Sequence, residues 1–316
     1  MREPSLADVP APAAGPQAAA ERSRVSPFVP DWPVILFVTL SPLAGIAGTV
    51  WWIASGRFHV ETLILTVAMA IATGLGITAG YHRLFSHRSY TAAWPVRLLF
   101  LLLGGASLQE SAVKWSWDHR RHHRFVDRDG DPYNISRGFW YAHFLWMFHK
   151  RVRDPGEQWP QDLWRDPLAR WQHRVYLPSV ALVGFIMPTL IAASWGDAWG
   201  GLILAGVLRT VINHHLTFAI NSICHRFGSQ PYSVRHSARD SAVTAWFTYG
   251  EGYHNFHHEF ASDYRNGIAA HQYDPSKWLI FSLAKLGLAR DLRRTPEKTI
   301  AAARAAMRAR ALQAPS

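Results

Sequence analysis

Four long runs of apolar residues divide the chain, and each is long enough to cross a bilayer. They cover residues 34–55, 60–80, 175–195 and 199–220. About 20 apolar residues in a helix span a hydrocarbon layer of roughly 30 Å. The segments 56–59 and 196–198 between them are short, so the runs form two helical hairpins. The alternative is a set of buried helices in a large soluble protein, but two paired runs of spanning length favour a membrane protein.

A fifth apolar run covers residues 95–113 and differs from the other four in its position relative to the histidines. Histidine clusters lie on both sides of it, at 82–87 and 119–123, and a third lies at 254–258, after two more spanning runs. If the three clusters serve one site, they lie on the same side of the membrane. The run 95–113 then cannot cross, and we expect a partly buried helix at the membrane interface.

The predicted fold is therefore an all-α integral membrane protein, with four transmembrane helices in two hairpins and a helical cap on the side of the histidines. Both termini fall on that side, and Lys and Arg crowd it. The short loops on the opposite side carry only Arg57 and Asp197. The positive-inside rule then makes the histidine side and both termini cytoplasmic.

Composition separates the tails from the membrane domain. Residues 1–30 are rich in Ala, Pro and Gly and offer little to bury, so we expect a disordered tail. Residues 31–291 form the membrane domain, and within it the aromatic segment 138–150 is expected to be an amphipathic helix at the headgroup level. Residues 292–316 are interpreted as a basic C-terminal helix or tail.

Charge and cysteine content narrow the classes of partner. The 316 residues carry a formal net charge of +11, which suits an anionic partner such as a phosphate-bearing substrate, anionic lipid headgroups or nucleic acid. Because the basic residues lie beside membrane helices, we expect membrane lipids and no nucleic acid. The single cysteine, Cys224, excludes an internal disulfide framework and a cysteine-rich zinc module.

Histidines recur in three boxes, one with the spacing H-x4-H and two with the spacing H-x-x-H-H. They are His82 and His87, then His119, His122 and His123, then His254, His257 and His258. On a helix, positions i, i+3 and i+4 lie on one face. One box alone could be a basic surface run, but three argue for a site. Neutral imidazole binds iron, zinc or copper, and eight of them exceed the needs of one ion, so we expect two metal ions.

A ninth histidine, His225, follows the last spanning run and is a further candidate ligand; an interfacial histidine is the alternative. Asn221 lies one helical turn before it and could contact a metal directly or through water.

Two other kinds of metal site, a zinc-protease helix and a calcium loop, are excluded by the spacing of their residues. No H-E-x-x-H motif is present, and the acidic run 127–131 has its glycine at the fourth position, where a calcium loop needs it at the sixth.

Four segments together resemble the signatures of membrane fatty-acyl desaturases, in particular the stearoyl-CoA Δ9-desaturase type. They are GITAGYHRLFSH (76–87), WDHRRHHRFVDRDGDPYN (117–134), NSICHRFG (221–228) and GEGYHNFHH (250–258). The resemblance implies O2-dependent insertion of a cis double bond, expected at Δ9 of a C16–C18 acyl-CoA. It also implies a centre of two iron ions. Its ligands would be His82, His87, His119, His122, His123, His225, His254, His257 and His258, with Asn221 holding a water.

Related functions remain open. A di-iron fatty-acyl hydroxylase or an alkane-type monooxygenase would use the same oxidant. A non-catalytic metal-binding protein would need polar groups along the spanning helices, and His214 and His215 are the main candidates. We expect a separate electron donor (a ferredoxin, a cytochrome b5-like protein or a flavoprotein reductase), because neither tail carries an H-P-G-G stretch. Coenzyme A, acyl carrier protein or phospholipid could carry the acyl chain.

Two further sets of residues are expected around the metals. Carboxylates that accept the second N–H of an imidazole orient it, and those nearest in sequence are Asp118, Asp240 and Glu251. Ordinary surface charge is the alternative for each. Small residues on one face of the second spanning helix would leave room for an acyl tunnel, although close helix packing would use them equally well. These residues are Thr66, Ala70, Thr73 and Ile77.

Overall fold

The computed structural model describes residues 29–150 and 157–313. Nearly all of the predicted N-terminal tail, residues 1–30, lies outside the described residues. Thirteen helices are described, several of them with short π-helical stretches. They are α1 (Trp32–Ala54), α2 (Val60–Ser86), α3 (Trp94–Ala106), α4 (Ala112–Phe125), α5 (Phe139–His143), α6 (Gln161–Arg165), α7 (Pro167–Arg174), α8 (Tyr176–Ala193), α9 (Ala198–Ser222), α10 (Ala242–Phe247), α11 (His254–Glu259), α12 (Pro275–Lys285) and α13 (Glu297–Gln313).

Four of these helices, α1, α2, α8 and α9, are long and apolar enough to cross a membrane. They form the two expected hairpins, and the predicted all-α membrane fold is confirmed. Large apolar side chains remain exposed along α1, as lipid contact requires. Examples are Leu36, Leu40, Leu43 and Ile46.

The far ends of the two hairpins are joined by a buried carboxylate. Asp197, in the turn between α8 and α9, accepts hydrogen bonds from Trp52 Nε1 (3.0 and 3.1 Å) and from Thr62 Oγ1 (2.6 Å). Its Oδ1 also accepts from Gly200 N at 2.9 Å and caps the start of α9. A buried carboxylate must be hydrogen-bonded to be tolerated, so this turn fixes α1 and α2 against α9.

The end of α2 nearest the histidines is π-helical from Gly76 to Ser86, and all eleven residues of this π-helix are buried. Two glycines allow close packing against α3. A Cβ atom on Gly76 would lie 2.5 Å from the backbone nitrogen of Gly104, and one on Gly80 would lie 2.7 Å from Phe100 Cβ. π-helical turns are rare and are concentrated at functional sites. Here the π-helix carries His82.

Helix α3 is the predicted interfacial helix and, with 13 residues, it is too short to span. The apolar run 95–113 does not continue as one helix, because Leu108 and Glu110 have positive φ angles of 55° and 77°. Ala112 then begins α4. The end of α3 is held by the buried Arg209 of α9, which donates to Ala106 O (2.7 Å) and to Gly184 O (2.7 Å).

The remaining segments form the cap over the histidines. Segment 138–150, expected to be one amphipathic helix, is α5 followed by the 3₁₀ turn Leu145–Phe148, because the backbone breaks at Phe144 (φ −147°). Strands β1 (Thr91–Ala92) and β2 (Ala289–Arg290) pair antiparallel and hold the chain after α12 against the end of α2. Helix α13 contributes Ile300 to a small core with Tyr232 and Phe256.

Candidate metal centre

All nine histidines singled out in the sequence meet in the cap, in two adjacent groups. The ligand atoms of each group lie within 4.8 Å of one another. In the first group, Nε2–Nε2 distances are 2.8 Å for His87–His119 and 2.9 Å for His123–His257. The first group contains His82, His87, His119, His123 and His257. The second group contains His122, His225, His254 and His258.

The two H-x-x-H-H boxes are divided between the groups in opposite ways. On α4, His119 and His123 face the five-histidine group and His122 faces the four-histidine group. On α11, only His257 faces the five-histidine group. Residues i and i+4 lie on one side of a helix and i+3 lies beside them, so each helix can serve two adjacent metals. Helices α4 and α11 therefore lie between the two histidine groups, and each contributes ligands to both.

Burial sets the protonation state of these imidazoles. The pKa values of seven histidines are well below the ordinary value, first because burial disfavours the charged ring and then because the other histidines repel added charge. These are His87, His119, His123, His225, His254, His257 and His258. The neutral ring that binds a metal is thus the form present at neutral pH, and the donor set fits two metal ions.

A buried ion network supports the five-histidine group. Glu251 Oε2 lies 2.9 Å from His82 Nδ1, and Glu251 Oε1 accepts from Arg83 Nη2 at 2.9 Å. Asn266 Nδ2 donates to Glu251 Oε2 at 2.7 Å, and Asp274 Oδ1 lies 3.0 Å from Arg83 Nη1. Burial would raise the pKa of Glu251, but His82 and Arg83 outweigh it, and the pKa is lowered. Glu251 is therefore an ionised acceptor for His82 Nδ1–H.

Loop residues support the four-histidine group. Asp131 Oδ1 lies 2.8 Å from His122 Nδ1 and also accepts from the backbone N–H of Tyr133 at 3.1 Å. Ser237 Oγ lies 2.7 Å from His225 Nδ1 and donates in turn to Asp127 Oδ1. Sequence reasoning excluded 127–131 as a calcium loop and missed this role. The available signal was a run of three aspartates within nine residues of a histidine box, two of which take this role.

The structure places the three carboxylates predicted to orient imidazoles in different surroundings. Glu251 contacts His82 as described. Asp240 accepts from the backbone N–H groups of Asn255 (2.7 Å) and Phe256 (3.1 Å), so it positions the start of α11 and not an imidazole. Burial raises the pKa of Asp240 to about 6. Asp118 lies 3.3 Å from Lys114 Nζ on α4.

The arginines within the second box turn away from the histidine groups. Arg120 donates to both carboxylate oxygens of Asp162, at 2.8 and 2.7 Å, and to the carbonyl oxygens of Phe85 and Ser86. It thereby ties α4 to the end of α2. Arg121 donates to Glu157 Oε1 at 3.0 Å. Trp115 stacks on the ring of His119, with centroids 4.8 Å apart, and shields the five-histidine group.

His214 and His215 lie outside the two groups. Asn221 is half-buried on α9, one turn before His225. His214 Nε2 lies 2.9 Å from Ser107 O, and His215 Nδ1 lies 3.2 Å from His143 Nε2. Among the described residues, neither His214 nor His215 is part of a group of three or more potential metal ligands.

A narrow space of about 10 Å³ lies below the histidine groups, between α2 and α9. We call it the slot. Ile77, from the predicted tunnel face, lines it, together with Gly74, Thr78, Gln109, Asn213, Leu216, Thr217, Ile220, Thr248 and Tyr249. Deeper on the same face, Asn213 Nδ2 donates to Thr73 Oγ1 (2.7 Å) and Ala70 O (3.2 Å). Thr66 Oγ1 donates to Thr62 O within α2.

Comparison with known proteins gives consistent matches. The family model described as fatty acid desaturase matches residues 60–283. The probable acyl-CoA desaturase of Schizosaccharomyces pombe is 43% identical over 85% of this chain and 56% of its own length. Acyl-CoA desaturase 1 of Saccharomyces cerevisiae is 42% identical over 85% and 53%. The Delta(9)-fatty-acid desaturase fat-7 of Caenorhabditis elegans is 39% identical over 77% and 73%. The chain thus spans about half the length of the two yeast relatives.

Proposed function

The chain belongs to the fatty acid desaturase family, and from that premise we propose that it is an O2-dependent fatty-acyl desaturase with a centre of two iron ions. The proposed product carries a cis double bond, at Δ9 of a saturated C16–C18 chain presented as a coenzyme A thioester. The observation that carries the proposal is the pair of neighbouring histidine groups that share helices α4 and α11. The names of the relatives support the acyl-CoA substrate and the Δ9 position.

The donor set supports the assignment of metal ligands. His82, His87, His119, His123 and His257 would hold one iron, and His122, His225, His254 and His258 the other, with Asn221 holding a water on the second. Bound iron would supply the O2-derived oxidant that removes hydrogen from an unactivated methylene, which no acid or base can begin. Two electrons from a donor and two from the C–H bonds then reduce O2 to water.

The chain's own residues prepare the site for this reaction. Glu251 and Asp131 accept from the Nδ1 atoms of His82 and His122 and so fix the tautomer that presents Nε2 to the metal. Ser237 does the same for His225. Burial of the histidines and the stacked Trp115 keep bulk water from the reacting carbons.

The surfaces around the site support the proposed substrate and donor. The slot lies beneath the histidines between the spanning helices α2 and α9, and an acyl chain placed between those helices would be desolvated. The net charge of +11 suits the phosphates of coenzyme A. A cytoplasmic position of the histidines follows from the sparse charge of the far-side turns. Electrons would come from a separate ferredoxin, cytochrome b5-like protein or flavoprotein reductase.

Expression in a host that lacks its own desaturase tests the proposal. Fatty acid methyl esters from that host should acquire a cis-9 double bond, and the purified protein should contain two irons per chain. Hydroxy-acyl products would indicate the related hydroxylase activity. An unchanged lipid profile with iron fully loaded and an active electron donor present would contradict the proposal. Purified protein given acyl-coenzyme A, acyl-acyl carrier protein or phospholipid identifies the carrier.

A further inference from the structure

A tenth histidine, His236, lies beside the four-histidine group. It belongs to the segment 230–240, which follows His225 and leads to α10. Its ring centroid lies 5.1 Å from that of His258, and the two ring planes are tilted by 43°. Ring pairs within the group have similar separations, 4.9 Å for His225–His254 and 5.1 Å for His225–His258. His236 is therefore about as close to one member of the group as members of the group are to one another.

Both ring nitrogens of His236 are buried, and neither has a hydrogen-bond partner among residues 29–150 and 157–313. No other histidine in these segments has two such nitrogens. The residue as a whole is only half-buried, so its nitrogens are turned into the protein and away from solvent. A buried polar atom without a partner costs free energy, and a bound ion is one of the few reasons for which a native structure keeps one.

Two carboxylates, Asp127 and Glu259, lie near the ring of His236 but do not bind its nitrogens. Asp127 accepts instead from the backbone N–H and the hydroxyl of Ser237, at 2.6 and 2.5 Å. Glu259 accepts from Arg235 Nη2 at 2.5 Å. Because both carboxylates have other partners, the four-histidine group is the polar cluster that remains beside the unpartnered nitrogens.

The backbone around His236 is fixed by side chains on both sides of it. Gln230 Nε2 donates to the carbonyl oxygen of His236 at 2.7 Å. Asn255 of α11 donates from Nδ2 to Ser233 O (2.7 Å) and to Ala238 O (2.9 Å). His236 is not one of the four residues whose ligand atoms lie within 4.8 Å of one another. Rotation about its side-chain bonds, without movement of the loop, is therefore the step that would bring a nitrogen to the group.

We propose that His236 is a fifth histidine ligand for the metal at the four-histidine group. The inference rests on the proposed two-metal centre and goes beyond the nine histidines assigned to it above. The ring would turn from its place against His258 and offer one nitrogen to the metal. This satisfies a nitrogen that has no other partner, and each of the two groups then supplies five imidazoles. Neutral imidazole is a ligand for iron, so the donor matches the proposed metal.

His236→Phe tests the inference, because phenylalanine keeps a ring against His258 but has no ligand atom. Iron is withdrawn by a chelator from full-length protein purified with its iron bound. One iron should be lost at least about tenfold more readily than in the wild type, since even a lost partner of a ligand weakens metal binding by that much. The other iron should be lost as in the wild type. Mössbauer spectroscopy should likewise show a changed signal for one iron only. His271→Ala, exposed and outside both groups, is the matched control.

The chelator-stripped protein gives a second readout with the opposite sign. His236→Phe removes two buried nitrogens that have no partner, so the stripped variant should melt at a higher temperature than the stripped wild type. A lower melting temperature would show that the nitrogens already have a partner, such as a bound water, and would overturn the inference.

A second variant keeps the inference testable if His236→Phe aggregates in detergent. His236→Gln keeps groups that donate and accept hydrogen bonds, but its amide oxygen suits harder cations than iron, so one iron should again be held more weakly. Unchanged iron release in the folded variant, or faster release of both irons, would overturn the inference and leave the nine-histidine centre standing. A wild-type protein that binds fewer than two irons would overturn the two-metal centre and this inference with it.

Discussion

The two histidine groups lie side by side but are supported by different means. The five-histidine group relies on a buried ion network, in which Glu251 contacts His82 and is itself paired with Arg83. The four-histidine group relies on a loop, where Asp131 contacts His122 and is held by backbone N–H groups. One group therefore depends on charges that balance each other, and the other depends on hydrogen bonds to neutral donors.

This difference predicts that substituting the supporting carboxylate destabilises the protein more in one group than in the other. Removing Glu251 takes charge-assisted hydrogen bonds from the buried guanidinium of Arg83, and such bonds contribute more than neutral ones. Removing a carboxylate that is held by backbone amides costs only its hydrogen bonds.

Loss of a proposed ligand should have the largest effect in either group. We expect His122→Ala to abolish desaturation and to lower iron content from two to one per chain, while the protein still inserts into the membrane. His119→Ala should do the same in the five-histidine group. The measurement is iron analysis of purified protein together with lipid analysis. His271→Ala, an exposed histidine outside both groups, is the matched control. Full activity of His122→Ala would contradict the assignment of ligands.

Glu251→Gln should have the next largest effect. The amide keeps the shape of the side chain but leaves Arg83 with Asp274 as its remaining carboxylate partner. We expect a loss of about 3 kcal/mol in the free energy of unfolding, because Arg83 loses its charge-assisted hydrogen bonds to Glu251. Iron should also be lost about 10- to 100-fold more readily to a chelator, because His82 loses its acceptor. Thermal melting and chelator titration measure the two effects separately.

Asp131→Asn should be milder. The backbone N–H groups of Asp127 and Tyr133 keep an amide oxygen as acceptor, and no buried cation is left unpaired. We expect a loss of about 1 kcal/mol in the free energy of unfolding, with about tenfold weaker iron retention in the four-histidine group. If Asp131→Asn proved as destabilising as Glu251→Gln, the contrast between the two groups would be wrong.

Ser237→Ala should have the smallest effect of the four. It removes the hydroxyl between His225 Nδ1 and Asp127 but leaves His122 and Asp131 in place. We expect a loss of about 1 kcal/mol or less in stability and a modest loss of iron, confined to one metal of the two. Ser237→Thr retains the hydroxyl and should restore retention. A loss of both irons in Ser237→Ala would show that the groups do not bind metal independently.

The sequence predicted the parts of this molecule that depend on local pattern. Hydrophobic length identified the four helices that are long enough to span a membrane, and parity set the run 95–113, which contains the shorter α3, apart from them. The imidazole spacing brought nine histidines to one site. The division of His119, His122 and His123 between two groups was not predictable, because it depends on how α4 is rotated against α11.

The supporting residues were harder to predict for a similar reason. Asp131 and Ser237 lie in irregular segments, and no periodicity indicates which way a loop side chain points. Glu251 was foreseen only because it precedes the third box.

The spread of the histidines along the chain has a consequence for biosynthesis. His82 and His257 are 175 residues apart in sequence, yet their Nε2 atoms are 3.0 Å apart. All four spanning helices are synthesised before His257, so neither group can be complete until both hairpins have been made. Metal would then act as a late cross-link that closes a very long loop. A newly made chain would then lie in the bilayer with its hairpins formed, before metal joins the histidines of the cap.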